Sequence, residues 1–197
     1  MANHGSIEIV VIYADIVSST EIVNKLPESK IPLFYKIFCN ELYKIINDFG
    51  GFVYKPVGDE VIGVFFIPET GWIPIIDNSI RCISYIRYVT KYVISPIAES
   101  ISLPKIQCRI GADYGVAQIV DIGVEGIKIS AEILGNVMNV AAKIRGKVYP
   151  GGVAIGQKYY EQLHTDYKLL CKKINPIIIN EVKYNVYHVN FDNIKNS

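Results

Sequence analysis

Residues 7–14, IEIVVIYA, form an almost unbroken β-branched run of strand length, the pattern of a strand covered on both faces. A helical period follows. Ile31, Leu33, Phe34, Ile37, Phe38, Leu42, Ile45 and Ile46 recur at that spacing over 29–48, and Gly50-Gly51 closes the run, which predicts a long amphipathic helix. Two short apolar runs, FVYKPV and EVIGVFFI, flank Gly58-Asp59 and read as a hairpin. A second helical pattern over 77–95 carries Ile80, Ile83, Ile86, Tyr88 and Val89, before Pro96 and Pro104 bracket a connection. QCRIGADYG and VAQIVDIG read as a further strand pair, punctuated by Gly115 and Gly123. Over 135–145, Val137, Val140, Ala141 and Ile144 make one apolar helical face, and Asn139 and Lys143, four apart, share the other. A strand near 152–155, a helix near 157–163 and weaker strands between 167 and 189 finish the pattern. No internal repeat, linker or low-complexity segment interrupts it. This alternation predicts an α+β sandwich, with helices packed on a mixed or antiparallel sheet.

Composition narrows the classes. A chain of 197 residues that is half apolar sustains one sizeable core, so a single domain over 1–197 is expected. The net charge of +1, with both signs spread throughout, leaves no electrostatic footprint for nucleic acid or an anionic membrane. Met1-Ala-Asn-His-Gly lacks the cationic start and apolar stretch of a secretory leader, and no run is long enough to cross a bilayer. A cytoplasmic protein without a membrane partner is expected. Cys39, Cys82, Cys108 and Cys171 lie far apart inside apolar patterns, which fits reduced core thiols better than disulfides or a zinc site. His4, His164 and His188 are scattered, so no histidine metal cluster is expected.

The candidate chemistry lies in carboxylates. Asp15 ends the first strand and Asp59 sits in the first hairpin. On adjacent strands the two would converge, and paired hard oxygens are what Mg²⁺ or Mn²⁺ takes when phosphates complete its shell. Ser18, Ser19 and Thr20 open the next helix, where free amides and the helix dipole receive phosphates. On the residues alone a second reading stays open: Asp15 as a helix N-cap and Asp59 as an ordinary turn residue.

Four segments appear together and in order: IYADIVSST, GGFVYKPVGDEVIGVF, RIGADYGVA and ILGNVMNVAAKI. In order and approximate spacing they resemble the class III nucleotidyl cyclase catalytic domain, over about Ile7 to Leu163, in a stand-alone form. The resemblance implies a ferredoxin-like sandwich with a mostly antiparallel sheet. It implies formation of a 3′,5′-cyclic monophosphate and pyrophosphate from a nucleoside triphosphate, with two divalent cations held at Asp15, Asp59 and the backbone carbonyl of Ile16. It places base recognition at Lys55 and Glu132, ribose orientation at Asn139 and the transition-state charge at Lys143. A lysine donor with a carboxylate acceptor suits adenine, so ATP is the expected substrate. The family builds its sites between subunits, which implies a homodimer with two composite sites.

The chain also departs from the family pattern. Lys143 stands where an arginine is usual and lacks its planar fork. Arg145, two residues on, points about 200° away around a helix and is not assigned that role. Glu132 replaces a commoner aspartate, and Asp113 stands where many members have histidine. No lysine-glycine pair for the terminal phosphates is evident, with Lys172 or Lys173 as substitutes. These departures keep two alternatives open: a pyrimidine cyclase using UTP or CTP, as in small antiphage relatives, and a weakly active or inactive nucleotide-binding homologue. A palm-type diguanylate cyclase or polymerase shares the carboxylate logic but explains neither Lys55 nor the helix of Asn139.

Overall fold

The computed structural model describes residues 5–124 and 127–193; His4 lies outside them. Eight strands of the described residues form one sheet: β1 (Ser6–Ile16), β2 (Phe52–Val57), β3 (Glu60–Ile67), β4 (Cys108–Val124), β5 (Ile127–Leu134), β6 (Val153–Gly156), β7 (Cys171–Ile179) and β8 (Val182–Val189). The order is β2-β3-β1-β4-β6-β8-β7, with β5 paired to β4 beside this path. Among the described strands only the β4–β6 pair runs parallel. The fold is thus mixed α+β with a mostly antiparallel sheet, as the hydropathy pattern predicts.

The helices are α1 (Ser19–Val23), α2 (Ile31–Asp48), α3 (Trp72–Val89), α4 (Ser95–Ser100), α5 (Asn136–Arg145), α6 (Gln157–Gln162) and α7 (Thr165–Lys168). The run over 7–14 lacks alternation because both faces of β1 are covered. Val10, Ile12, Ala14 and Ile16 enter a core lined by α2, α3, α4 and α6, while Ile9, Val11 and Tyr13 enter a second one beneath α5. Burying each such isoleucine contributes about 1.5–3 kcal/mol. β1 is therefore held on both faces and, through β3 and β4, on both edges, and it ends at Asp15 and Ile16.

Two expectations need correction. The helix expected over 77–95 begins at Trp72, and a π-helical turn at Thr90–Ile94 carries the chain on into α4. Pro96 does not break this path; it falls in the first turn of α4, directly after the π-helical turn. The second correction is larger. Cys108–Val124 is one continuous strand, and its hairpin partner is β5, which the hydropathy pattern missed. Gly115 is not a turn: a Cβ there would lie 3.2 Å from Val137, so the glycine admits α5 close to β4.

The four cysteines are free. Burial pushes the Cys39, Cys108 and Cys171 thiols up to about 11 and Cys82 to about 12. No helix among the described residues is long and apolar enough to cross a membrane.

Candidate active site

Asp15 is only 6% exposed although it carries a carboxylate. Such a group needs opposite charge or donors, and two guanidinium groups supply both. Arg109, its direct cross-strand partner on β4, donates from Nε to Oδ1 at 2.9 Å and from Nη2 to Oδ2 at 3.1 Å. Arg145, the last residue of α5, donates from Nη1 to Oδ2 at 2.8 Å. Its other Nη2 pairs with Glu60, the residue after Asp59. A close backbone approach makes this reach available: a Cβ on Gly111 would lie 2.3 Å from the backbone nitrogen of Arg145, so only glycine lets the end of α5 settle on β4.

Asp59 lies in the β2–β3 turn after Gly58, whose φ of 65° is in the left-handed region that glycine enters at no steric cost. There its Oδ2 accepts from the Ile16 backbone N–H at 3.1 Å. The Ile16 side chain is buried in the core, so only its backbone belongs to the site. Asp15, Asp59 and the Ile16 backbone thus come together at one end of the sheet. Among the described residues no group of three or more His, Cys, Asp or Glu side chains is gathered as a self-sufficient metal cage. Two hard carboxylates with a backbone carbonyl is instead a donor set that fits Mg²⁺ or Mn²⁺ sharing a phosphate ligand. Glu60 stands beside this pair, its carboxyl pushed up by burial and drawn down by Arg145.

A second cluster forms where β2 faces β5. Lys55 Nζ lies 2.7 Å from Glu132, and the Tyr54 hydroxyl also donates to Glu132 while accepting from the Ile133 N–H at 3.0 Å. Adjacent residues of a regular strand point to opposite faces. Tyr54 and Lys55 reach one carboxylate because the pairing of β2 with β3 slips between Val53 and Lys55, and the bulge re-aims Tyr54. The hydrogen bond from Lys55, and then that from Tyr54, holds Glu132 below its ordinary range, and the bond to Glu132 raises Lys55. Both charges persist at neutral pH.

Asn139 and Lys143 stand on exposed positions of α5, and their side chains make no hydrogen bond or ion pair with the described residues. They are not gathered with Asp15 and Asp59. Ser18, Ser19 and Thr20 do lie at the opening of α1, but that helix has five residues and Ser18 adopts φ 54° without capping it. Lys172 and Lys173 lie on β7, four strand spacings or about 19 Å from β1, beyond a lysine's reach to Asp15 within one chain. Asp113 is no part of either cluster: it is buried, and it accepts from the Tyr184 hydroxyl at 2.8 Å and the Tyr159 N–H at 3.3 Å.

Arg109, Arg145, Glu60 and Tyr54 are the residues of these clusters that sequence reading missed. Arg109 becomes visible only once the β1–β4 register is known. The 200° separation of Arg145 from Lys143 was a reason to set it aside, yet that is the direction that carries it to Asp15. For Tyr54 the one signal was Pro56, since proline inside a strand marks an edge or a bulge.

Residues 2–190 match the family described as the adenylate and guanylate cyclase catalytic domain. Two curated relatives, both named cytidylate cyclase, are 26% identical to this chain: that of Escherichia coli over 79% of the chain and 35% of its own length, that of Staphylococcus aureus over 83% and 39%. The chain thus spans well under half of either relative. Among solved structures, the adenylyl cyclase CyaB of P. aeruginosa superposes with a TM-score of 0.84 at 21% identity, covering 95% of this chain and 96% of that one. At that identity the likeness is one of fold, and the fold agrees with the sequence match: this chain belongs to the class III family of adenylate and guanylate cyclase catalytic domains.

Proposed function

We infer that the chain cyclises a nucleoside triphosphate whose base presents an amino donor beside a ring-nitrogen acceptor, and that cytidine triphosphate is preferred over ATP. The observation that carries this reading is the pair of Lys55 and Glu132, braced by Tyr54. One lysine donor and one carboxylate acceptor match adenine through N1 and N6, and they match cytosine equally through N3 and N4. Uracil and guanine present the two functions in exchanged order. Size then separates the first two. Glu132 reaches one methylene further than the aspartate commoner in the family, and the Tyr54 ring lies under the Lys55 ammonium at 4.8 Å, both of which suit the smaller base. The names of the two curated relatives support the same choice. ATP remains the second reading, favoured by the shared edge chemistry.

Asp15, Asp59 and the Ile16 carbonyl would hold the two divalent cations, Mg²⁺ or Mn²⁺, that when bound acidify the ribose 3′-hydroxyl and balance the charge of the triphosphate. The chain's own residues do the rest. Lys55 and Glu132 fix the base, Asn139 orients the ribose, Lys143 brings positive charge to the phosphoryl oxygens and the amides around Ser18, Ser19 and Thr20 receive the phosphates. Because Asn139 and Lys143 face away from Asp15 within one chain, a homodimer completes each site.

Purified protein incubated with Mn²⁺ and equal CTP, ATP, UTP and GTP, with Asp59→Asn as the blank, tests this by mass spectrometry. Cyclic CMP as the main product, absent from the blank, is expected. Cyclic AMP selects the second reading, cyclic UMP or cyclic GMP overturns the base assignment, and no product from folded protein overturns catalysis.

A further inference from the structure

Arg145 is held by two carboxylates at once, Oδ2 of Asp15 and the side chain of Glu60. An inner-sphere bond from a divalent ion to Asp15 needs a lone pair on that carboxylate, and Arg145 competes for one on Oδ2. Arg109 contacts Asp15 as well; among the described residues it hydrogen-bonds no other carboxylate, and Asp59 and Glu60 act on it only through space. Arg145 can leave Asp15 and stay neutralised on Glu60, whereas Arg109, bonded to both oxygens of Asp15, would give up its one hydrogen-bonded counter-ion. The helix end itself is fixed by the contact at Gly111, so only the guanidinium has to swing.

We propose that Arg145 and Glu60 form a relay that sets the affinity of the Asp15 site for divalent cations: the guanidinium occupies Asp15 until an ion displaces it, and Glu60 receives it. This rests on Asp15 as a metal ligand. Arg145 is a positioning residue in this scheme, since it governs the ligand and does not touch substrate. The chain thereby holds a built-in monovalent competitor for its own cation, and Mn²⁺ bound without nucleotide is weakened by it.

Mn²⁺ binding to nucleotide-free protein, followed by electron paramagnetic resonance of the free ion, reads the relay directly. Arg145→Gln is expected to tighten binding by about tenfold, the effect of removing one positive charge some 6 Å from a divalent ion in a wet site. Glu60→Gln, which is isosteric and serves should the first variant fail to fold, removes the receiving anchor, so the guanidinium stays on Asp15 and binding is expected to weaken by about tenfold, a coupling of the size that contacting charged residues show. In the double variant the Glu60→Gln penalty should largely vanish, because no guanidinium is left to strand; simple charge summation predicts the same penalty in both backgrounds. Unchanged or weaker binding in folded Arg145→Gln, or additive effects in the cycle, overturns the relay. Asp15→Asn separates the two levels: if it leaves Mn²⁺ affinity intact, the metal reading has failed and the relay falls with it, whereas lost affinity with an unresponsive Arg145→Gln defeats the relay alone.

Discussion

Tyr54 and Asp113 show how much a single buried or braced polar atom decides here. The Tyr54 hydroxyl donates to Glu132 and accepts from the next backbone N–H on the same strand, so it fixes the acceptor's position as well as its charge. Tyr54→Phe is expected to lower kcat/KM for the preferred nucleotide by about tenfold, the worth of one hydrogen bond to a charged group, and to narrow discrimination between CTP and ATP. Steady-state kinetics with both nucleotides checks this. Asp113 acts on stability instead. Burial pushes its carboxyl up to about 6, against hydrogen bonds from Tyr184 and two backbone amides that pull the other way. Because the folded value lies above the unfolded 3.8, the group's contribution is fully present below pH about 4 and is lost as pH rises through about 6. Asp113→Asn should therefore raise the melting temperature by a few degrees near pH 8 and give a much smaller difference near pH 4, in paired thermal melts.

At the scale of elements, α5 and β4 meet at a contact that leaves no room for a side chain. Gly111→Ala would drive a methyl into the backbone of Arg145, and a loss of about 1–3 kcal/mol in urea denaturation is expected, with the guanidinium moved off Asp15. This contact also marks where sequence reading stops. β1, α2 and the β2–β3 hairpin were legible because each is specified by local hydropathy and by Gly58. Asp15, Asp59 and Lys55 could be placed because they lie on or at the ends of those elements, whereas Glu132, on the missed strand β5, was assigned only through the family resemblance. The β4–β5 hairpin was misplaced because Gly115 resembles a turn glycine, while its true role depends on Val137, a residue that comes near only in three dimensions. Arg145 was set aside for the same kind of reason: an angular position on a helix says which way a side chain leaves, not what waits there.

For the whole molecule the question is how the separated clusters meet. Within one chain, Asn139 and Lys143 look outward from the helix whose last residue grips Asp15. If two chains complete each other's sites, an Asp59→Asn chain and an Asn139→Ala chain, each inactive alone, should regain up to about one intact site per heterodimer when mixed. Co-purified, differently tagged chains assayed together check this; heterodimers without activity would leave the sites unshared.

The sheet has a further consequence. Asp15 ends a strand buried on both faces, whereas Lys55 lies on an edge strand and Glu132 on a hairpin arm that pairs with β4 alone. On the proposed assignment, the part that would make the bond is built into the foundation, and the part that would choose the letter hangs from the eaves. Mutations that alter the choice can accumulate on the periphery without unsettling the chemistry, so over evolutionary time a lineage with this architecture can change the message it writes while keeping the same pen.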